Sequence, residues 1–245
     1  MMAPDAEPIM LNDKDKKTQQ EIVGVLLWYA GVIHLPAAIA VSEAASAGDT
    51  EDKAEKTRRL LAYFKQYPDA CLTFYASDMI LTGVCDASFA SRPDGRSRAG
   101  ICYYFRNEGD GLEDYNGMIE AKAKTIKLIM LSAAEAEYVT VFYTAEGAIS
   151  LVQAAEAMGH KQGTIRICTD NRVAVGLANS TMNIKRTRTI NTKFHWIRER
   201  VQAGEFEICW IPGDNNIADA FTKPLPRTRY QKFLRMLVSF PGQLD

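Results

Sequence analysis

The stretch that most constrains the fold runs from Met79 to Ala90 and is apolar or β-branched at most positions. This composition is typical of a strand that is buried on both faces of a sheet. Asp86 lies near the end of the stretch. A carboxyl group in apolar surroundings has to pair with a cation, bind a metal or become protonated, because desolvating its charge is costly. The sequence therefore predicts a central strand that carries one acidic side chain to a functional position.

Length and composition set the outer limits of the interpretation. The 245 residues suffice for one large domain, or for a medium domain with a small one. Because the net charge is only −1, binding to nucleic acid would have to come from a local basic patch. The five cysteines show no CxxC spacing. We interpret them as reduced core thiols rather than as a disulfide or zinc framework.

The N-terminal part of the chain predicts helices. After a flexible tail at residues 1–13, residues 14–70 contain three segments with helical patterns, so we expect a small helical segment. The run from Ile22 to Val41 has 20 residues without a formal charge, which by length alone suits a membrane span. His34 and Pro36 interrupt the run and favour two short helices. No membrane partner is therefore expected, and a membrane tether is the alternative.

From residue 71 onward the pattern changes to strands, followed by alternating helices and strands. Three successive strands with short links predict an antiparallel meander, and the later elements predict helices packed on a mixed sheet. The predicted fold class is α/β, a mixed five-stranded sheet flanked by helices and preceded by the helical segment. The predicted sheet strands are 79–90, 99–105, 118–130, 164–169 and 205–211, with a further short strand at 72–75. The predicted helices are 132–158, 171–179, 188–202, 216–222 and 227–238.

Two glutamates at the start of the longest predicted helix have different predicted roles. Glu135 and Glu137 are two residues apart, so they point about 200° apart and cannot both face one site. Ser132 and Glu135 have the spacing of a capping box, which gives Glu135 a structural role. Glu137 is therefore the predicted site carboxylate. The alternative is that both glutamates are solvated surface residues.

Two aspartates complete a set of four acids. Asp170 follows a predicted strand and precedes a helix, where open α/β sheets bind ligands, but it could equally cap that helix. Asp219 lies in a short helical turn and could equally be a surface residue. With Asp86 and Glu137 they come from four separate elements. Such a set of hard oxygen ligands suits magnesium or manganese rather than zinc.

A basic stripe with interleaved aromatic residues lies between Asn183 and Arg200. It holds six Lys or Arg side chains and one acid, Glu199, and it could follow the phosphates of a nucleic acid. A solvated helix face is the alternative. Two polar residues that flank the acids could orient substrate or metal ligands. The predicted nucleic-acid-binding residues are Ser88, Asn171, Lys185, Arg186, Arg188, Lys193, His195 and Arg198.

Five motifs in chain order resemble one known family. They are VCDAS at 84–88, LSAAEAEY at 131–138, ICTDN at 167–171, KRTRTINTKFHWIRE at 185–199 and NIADAFTKPL at 216–225. Together they resemble the ribonuclease H domain of copia-type LTR retrotransposon polyproteins, over about residues 77–238. The segment from Ile22 to Tyr29 and the helices after it resemble the thumb-like end of the neighbouring reverse transcriptase.

The resemblance implies a ribonuclease H fold over residues 71–245, with three antiparallel strands, two further parallel strands and helices on both faces. It implies metal-dependent hydrolysis of the RNA strand of RNA–DNA hybrids during reverse transcription, with Mg²⁺ or Mn²⁺ as cofactor. The implied partners are the hybrid and the reverse transcriptase and integrase parts of the same polyprotein. The implied location is the cytoplasm, within virus-like particles, or the nucleus. The implied catalytic and metal-binding residues are Asp86, Glu137, Asp170 and Asp219.

Two departures from the family pattern bear on the implied activity. The loop at 212–218 lacks the His that many cellular ribonucleases H carry before their last Asp. The chain also lacks the Tyr-x-Asp-Asp of a polymerase site, so we do not expect it to polymerise nucleic acid. The alternative function is a catalytically inactive connection-type module from a decayed or domesticated element, which binds nucleic acid or supports a polymerase.

Overall fold

A computed structural model of the chain describes residues 9–45, 50–92, 94–109, 111, 115–180 and 191–240. Its centre is a sheet of five strands: β1 (Ile80–Ser88), β2 (Arg98–Arg106), β3 (Met118–Thr125), β4 (Ile165–Thr169) and β5 (Phe206–Trp210). Their order is β3-β2-β1-β4-β5. The first three strands pair antiparallel, whereas β4 pairs parallel with both β1 and β5. This arrangement confirms the predicted fold class and the topology that the resemblance implies.

β1 is buried on both faces, as its composition predicts. Successive side chains of a strand point to opposite faces, so Leu81 and Cys85 lie in one core cluster and Val84 lies in the other. Asp86 is on the same side of β1 as Val84. The strand that supplies the first acid is therefore packed between two apolar layers.

Helices cover both faces of the sheet. The first layer contains α4 (Ala133–Ala157), α5 (Arg172–Ala178) and α6 (Asn191–Gln202). A Cβ added at Gly83 of β1 would meet Thr144 of α4 at 2.8 Å, so the strand and this long helix are in close contact. The second layer contains α7 (Arg227–Leu237) and a 3-10 turn at Ile217–Phe221.

The helical segment consists of α1 (Asp13–Val32), a 3-10 turn at Leu35–Ala37, α2 (Ala38–Ala45) and α3 (Glu51–Gln66). It has a small core of its own around Leu26, Val41 and Phe64. It also contacts the sheet domain, because Leu35 packs in the second layer and the hydroxyls of Tyr63 and Tyr230 lie 2.9 Å apart. In the described part of the chain, no helix combines the length and apolarity that crossing a membrane requires.

Some predicted elements differ from the structure. Residues 72–75 form no strand, and this region contributes only an isolated bridge between Cys71 and Ser239. Phe74 and Tyr75 are exposed, and no strand among the described residues pairs with this short apolar run. β3 ends at Thr125 rather than at residue 130. α6 is described from Asn191, and residues 188–190 of the predicted helix lie outside the described part of the chain.

Candidate metal-binding active site

Asp86 occupies the centre of the candidate site. It is a buried residue on β1 and pairs in register with Gly100 of β2. The hydroxyl of Thr222 donates a hydrogen bond to Asp86 Oδ2 at 2.5 Å. A Cβ at Gly100 would meet the carbonyl oxygen of Ala218 at 2.4 Å. Only a glycine therefore lets the turn that carries Thr222 lie this close to Asp86.

The first two glutamates of α4, Glu135 and Glu137, have different roles in the structure. Ser132 is the N-cap residue, and its hydroxyl accepts a hydrogen bond from the Glu135 backbone N–H. The Glu135 carboxylate accepts a hydrogen bond at 2.8 Å from the backbone N–H of Leu131, the residue before the N-cap. Glu135 therefore caps the start of the helix, much as in a capping box. Glu137 points instead towards Asp86. Its buried Oε2 atom accepts no hydrogen bond from the described residues.

Asp170 follows β4 and is half-buried. It does not cap α5, because Asn171 does so by accepting the backbone N–H groups of Val173 and Ala174 at 3.0 Å. The Asp170 side chain is thereby free to face the other acids. One carboxylate oxygen from each of Asp86, Glu137 and Asp170 lies within 4.8 Å of the other two.

The fourth acid, Asp219, is buried on the 3-10 turn at Ile217–Phe221. Its Oδ1 atom lies 2.6 Å from Lys223 Nζ, and its Oδ2 atom lies 2.5 Å from Arg229 Nη2. Asp219 is close enough to Asp86 for its charge to raise the pKa of Asp86. The structure thus brings all four predicted acids together, three as one group and the fourth beside it with two basic partners.

The electrostatics of the first three acids follow from burial and mutual repulsion. Burial, together with the charge of Asp219, raises the pKa of Asp86 to about 7. Burial, together with the charges of Asp86 and Asp170, raises the pKa of Glu137 to about 9. The pKa of Asp170 is raised for the same two reasons, with Asp219 as the neighbouring charge. Without an added cation, this group therefore retains protons near neutral pH.

Lys223 contributes positive charge to the site. Burial lowers its pKa, but the hydrogen bond to Asp219 and the charge of Asp86 outweigh burial, so its pKa is raised overall. The positive charge of Lys223 lowers the pKa of Asp86, Glu137 and Asp170, although by less than burial raises the pKa of each. An ammonium group therefore lies within electrostatic reach of every acid in the site.

The residues of the site fit a hard divalent cation. The group of three offers only carboxylate oxygens, the ligands that magnesium, manganese and calcium prefer. The unpartnered Glu137 Oε2 is the atom that such an ion would satisfy, because a buried carboxylate oxygen without a partner is costly. A cation that displaced the retained protons would also relieve the repulsion among the acids.

The predicted nucleic-acid-binding residues have varied surroundings. Ser88 ends β1 and is half-buried, and His195 is exposed on α6. Lys193 Nζ lies 4.1 Å from the centre of the Phe142 ring. Arg198 donates a hydrogen bond to the Ser180 hydroxyl at 2.7 Å. Asn171 is a helix cap, as described above. Three of the predicted residues, Lys185, Arg186 and Arg188, lie outside the described residues.

Sequence reasoning missed four residues that contact the acids or hold their turn. Asn216 is fully buried and donates a hydrogen bond to the carbonyl of Cys85, which ties the 3-10 turn to β1. The spacing of four residues between Asp219 and Lys223 is an ion-pair spacing and could have identified Lys223. No sequence signal identified the other three. The missed residues are Asn216, Thr222, Lys223 and Arg229.

The chain was compared with known proteins. It matches the retrovirus-related Pol polyprotein from transposon TNT 1-94 of Nicotiana tabacum with 31% identity over 177 residues, which is 72% of this chain. The chain is homologous to a segment of retrotransposon Pol polyproteins. It also matches the transposon Ty1-DR5 Gag-Pol polyprotein of Saccharomyces cerevisiae with 27% identity over 150 residues, or 61% of this chain. It spans only 13% and 8% of the lengths of these two relatives.

Among solved structures, the fold is similar to that of LC11-RNase H1, isolated from compost by a metagenomic approach. The TM-score is 0.43 at 15% identity, and the likeness covers 63% of this chain and 98% of that chain. No protein-family model matches the chain.

Proposed function

We propose that the chain is the ribonuclease H of a copia-type LTR retrotransposon, which hydrolyses the RNA strand of RNA–DNA hybrids with Mg²⁺, or with Mn²⁺ in its place. One observation carries this proposal: three carboxylates from β1, α4 and the end of β4 place oxygens within 4.8 Å of one another. Without a cation such a group has to retain protons, and a bound cation would take their place. The homology to retrotransposon Pol polyproteins supports the substrate class.

The residues of the site have distinct proposed roles. Asp86, Glu137 and Asp170 would hold a divalent ion, and Asp219 would be a further carboxylate for metal binding. A bound ion of this kind supplies Lewis-acid chemistry and lowers the pKa of a water molecule. Thr222 orients the Asp86 carboxylate through its hydrogen bond. Asn216 holds the turn that carries Asp219 against β1.

We assign substrate binding to the basic stripe between Asn183 and Arg200, to Ser88 at the end of β1 and to Asn171 after β4. Lys193, His195 and Arg198 lie on α6, and Ser88 lies at the end of β1 beside the acids. Basic side chains hold a nucleic acid by its phosphates, so binding of the hybrid should weaken steeply with salt. The reverse transcriptase and integrase parts of the same polyprotein remain the proposed protein partners. The cytoplasm, with virus-like particles, and the nucleus remain the proposed locations.

A catalytically inactive nucleic-acid-binding module is the second candidate. The observation that favours it is the engagement of both carboxylate oxygens of Asp219 by Lys223 and Arg229. If these contacts persist when metal is present, the fourth acid cannot act as a ligand. Such a module would bind a hybrid without cutting it.

A cleavage assay distinguishes the two candidates. The purified chain is incubated with an RNA–DNA hybrid labelled on the RNA strand, with and without Mg²⁺. We expect cleavage that requires Mg²⁺ and that falls by at least about a hundredfold in D86N. The matched control is D69N, because Asp69 is an exposed aspartate far from the acids in sequence. Retained hybrid binding with no cleavage by the unaltered chain would support the inactive module.

A further inference from the structure

Lys223 is the basic residue most closely integrated into the acidic site. It follows Thr222, which donates to Asp86, and its own ammonium lies 2.6 Å from Asp219 Oδ1. The Lys223 side chain is 44% exposed, whereas that of Asp219 is 2% exposed. The ammonium therefore lies at the mouth of the site and pairs with a carboxylate inside it.

Arg229 completes the enclosure of Asp219. Its guanidinium contacts Asp219 Oδ2 at 2.5 Å and also donates a hydrogen bond to the carbonyl of Gly213. Gly213 in turn lies against Asp170, because a Cβ added there would be 3.0 Å from Asp170 Oδ2. The guanidinium is thus anchored to the loop beside the acids, whereas the more exposed lysine side chain has only its ion pair with Asp219 among the contacts described.

The two sides of the site differ in charge balance. Buried oxygens of Glu137 and Asp219 both lack a hydrogen bond of normal geometry in the described structure, but each oxygen of Asp219 lies within 2.6 Å of a cationic nitrogen and no ion pair is described for Glu137. Among the described residues, a first divalent ion would find no basic side chain in an ion pair with Asp86, Glu137 or Asp170. An ion that used Asp219 would have to displace a cation that is already there.

We propose that Lys223 is a resident counter-cation that holds the place of a second divalent ion, so that the site takes up one ion readily and a second only when Lys223 releases Asp219. This inference rests on the proposed metal-dependent function. The ammonium, being half-exposed, can turn outward when it is displaced. The displaced Lys223 ammonium would then form an ion pair with a substrate phosphate at the mouth of the site. This ion pair would couple hybrid binding to binding of the second ion.

Titration with Mn²⁺ alone tests the inference without any turnover. Free Mn²⁺ is followed by electron paramagnetic resonance as it is added to the metal-free chain, so that the number of bound ions and each affinity are measured. For the unaltered chain we expect one tighter ion and a second, weaker one. In K223M we expect the second ion to bind up to about fivefold more tightly, which is the effect of removing one partly exposed ion pair.

Three further variants make the result specific. K223R keeps the charge and should retain the weak second ion, and D219N should lose the second ion while keeping the first. K65M removes an exposed lysine of α3 and should leave both affinities unchanged. Thermal melting in metal-free buffer is measured first. If K223M does not fold, K223Q replaces it, and D219N still tests whether Asp219 belongs to the second ion.

The outcomes separate the two proposals. If K223M and K223Q bind Mn²⁺ with the same affinities as the unaltered chain, Lys223 does not compete with an ion and the inference is wrong, although hybrid cleavage can still stand. If the unaltered chain binds no Mn²⁺ and cuts no hybrid, the proposed function is wrong and the inference falls with it.

Discussion

The two halves of the acidic site differ in what balances their charge. In the half formed by Asp86, Glu137 and Asp170, retained protons neutralise the buried charge, because the described structure places no basic side chain in contact with these carboxylates. The half formed by Asp219 has two basic partners, Lys223 and Arg229. The difference shows that four acids of one proposed site need not be equivalent before a metal arrives.

The difference has a structural origin. The first three acids come from the ends of β1 and β4 and the first turns of α4, which are largely buried segments of the sheet domain. Asp219 comes from a 3-10 turn that leads directly into a basic segment with Lys223, Arg227 and Arg229. Local sequence around each acid therefore decides whether a proton or a basic side chain accompanies it.

The largest expected effect concerns the two glutamates of α4. We expect E137Q to reduce hybrid cleavage by about a hundredfold or more, because it removes a charged oxygen from the group of three. The matched variant E135Q should retain cleavage and lower the free energy of unfolding by about 1 kcal/mol, the scale of a lost helix cap. Cleavage rates and urea unfolding of both variants measure this contrast. An essential Glu135 with a dispensable Glu137 would reverse the assignment.

The next effect is the pH dependence of stability. Folding raises the pKa of Asp86 to about 7 and that of Glu137 to about 9. Both groups bind a proton more tightly when folded, so they stabilise the fold below about pH 4, the unfolded pKa, and this stabilisation is lost as pH rises towards the folded values. The slope is about 1.4 kcal/mol per pH unit for each proton lost.

Thermal melting in metal-free buffer between about pH 5 and 9 measures this loss. We expect the melting temperature to fall across the range, and we expect added Mg²⁺ to raise it more at the alkaline end, where the carboxylates are free of protons. A melting temperature that is constant with pH, with or without Mg²⁺, would contradict the protonation of the first half.

The smallest expected effect concerns the basic half. Tyr230 follows Arg229 on α7, and its hydroxyl lies 2.9 Å from that of Tyr63 on α3. We expect Y230F to lower the free energy of unfolding by about 1 kcal/mol, the net value of one hydrogen bond. The tighter Mn²⁺ affinity should not change, since Asp86, Glu137 and Asp170 lie on other elements. A change in that affinity would mean that the halves are coupled through α7.

Much of the fold could be predicted because it depends on patterns that are local in the sequence. The apolar run around Val84 predicted a strand buried on both faces, and the spacing of Ser132 and Glu135 predicted the start of α4. The apolar run at 72–75 was wrongly predicted as a strand. A strand needs a neighbour to pair with, and no local pattern reports whether one is present.

Some features of the candidate site could likewise be predicted from the sequence, and others depend on tertiary packing. The sequence by itself determined which acids are placed at strand ends and helix starts, and it separated Glu137 from Glu135 through helix geometry. Only the tertiary structure decided that Thr222 donates to Asp86 and that Arg229 contacts Asp219, whereas the four-residue spacing of Asp219 and Lys223 is visible in the sequence. These contacts join residues that are up to 136 positions apart. Their geometry depends on how the sheet and the C-terminal turn pack together, and periodicity and propensity carry no information about that packing.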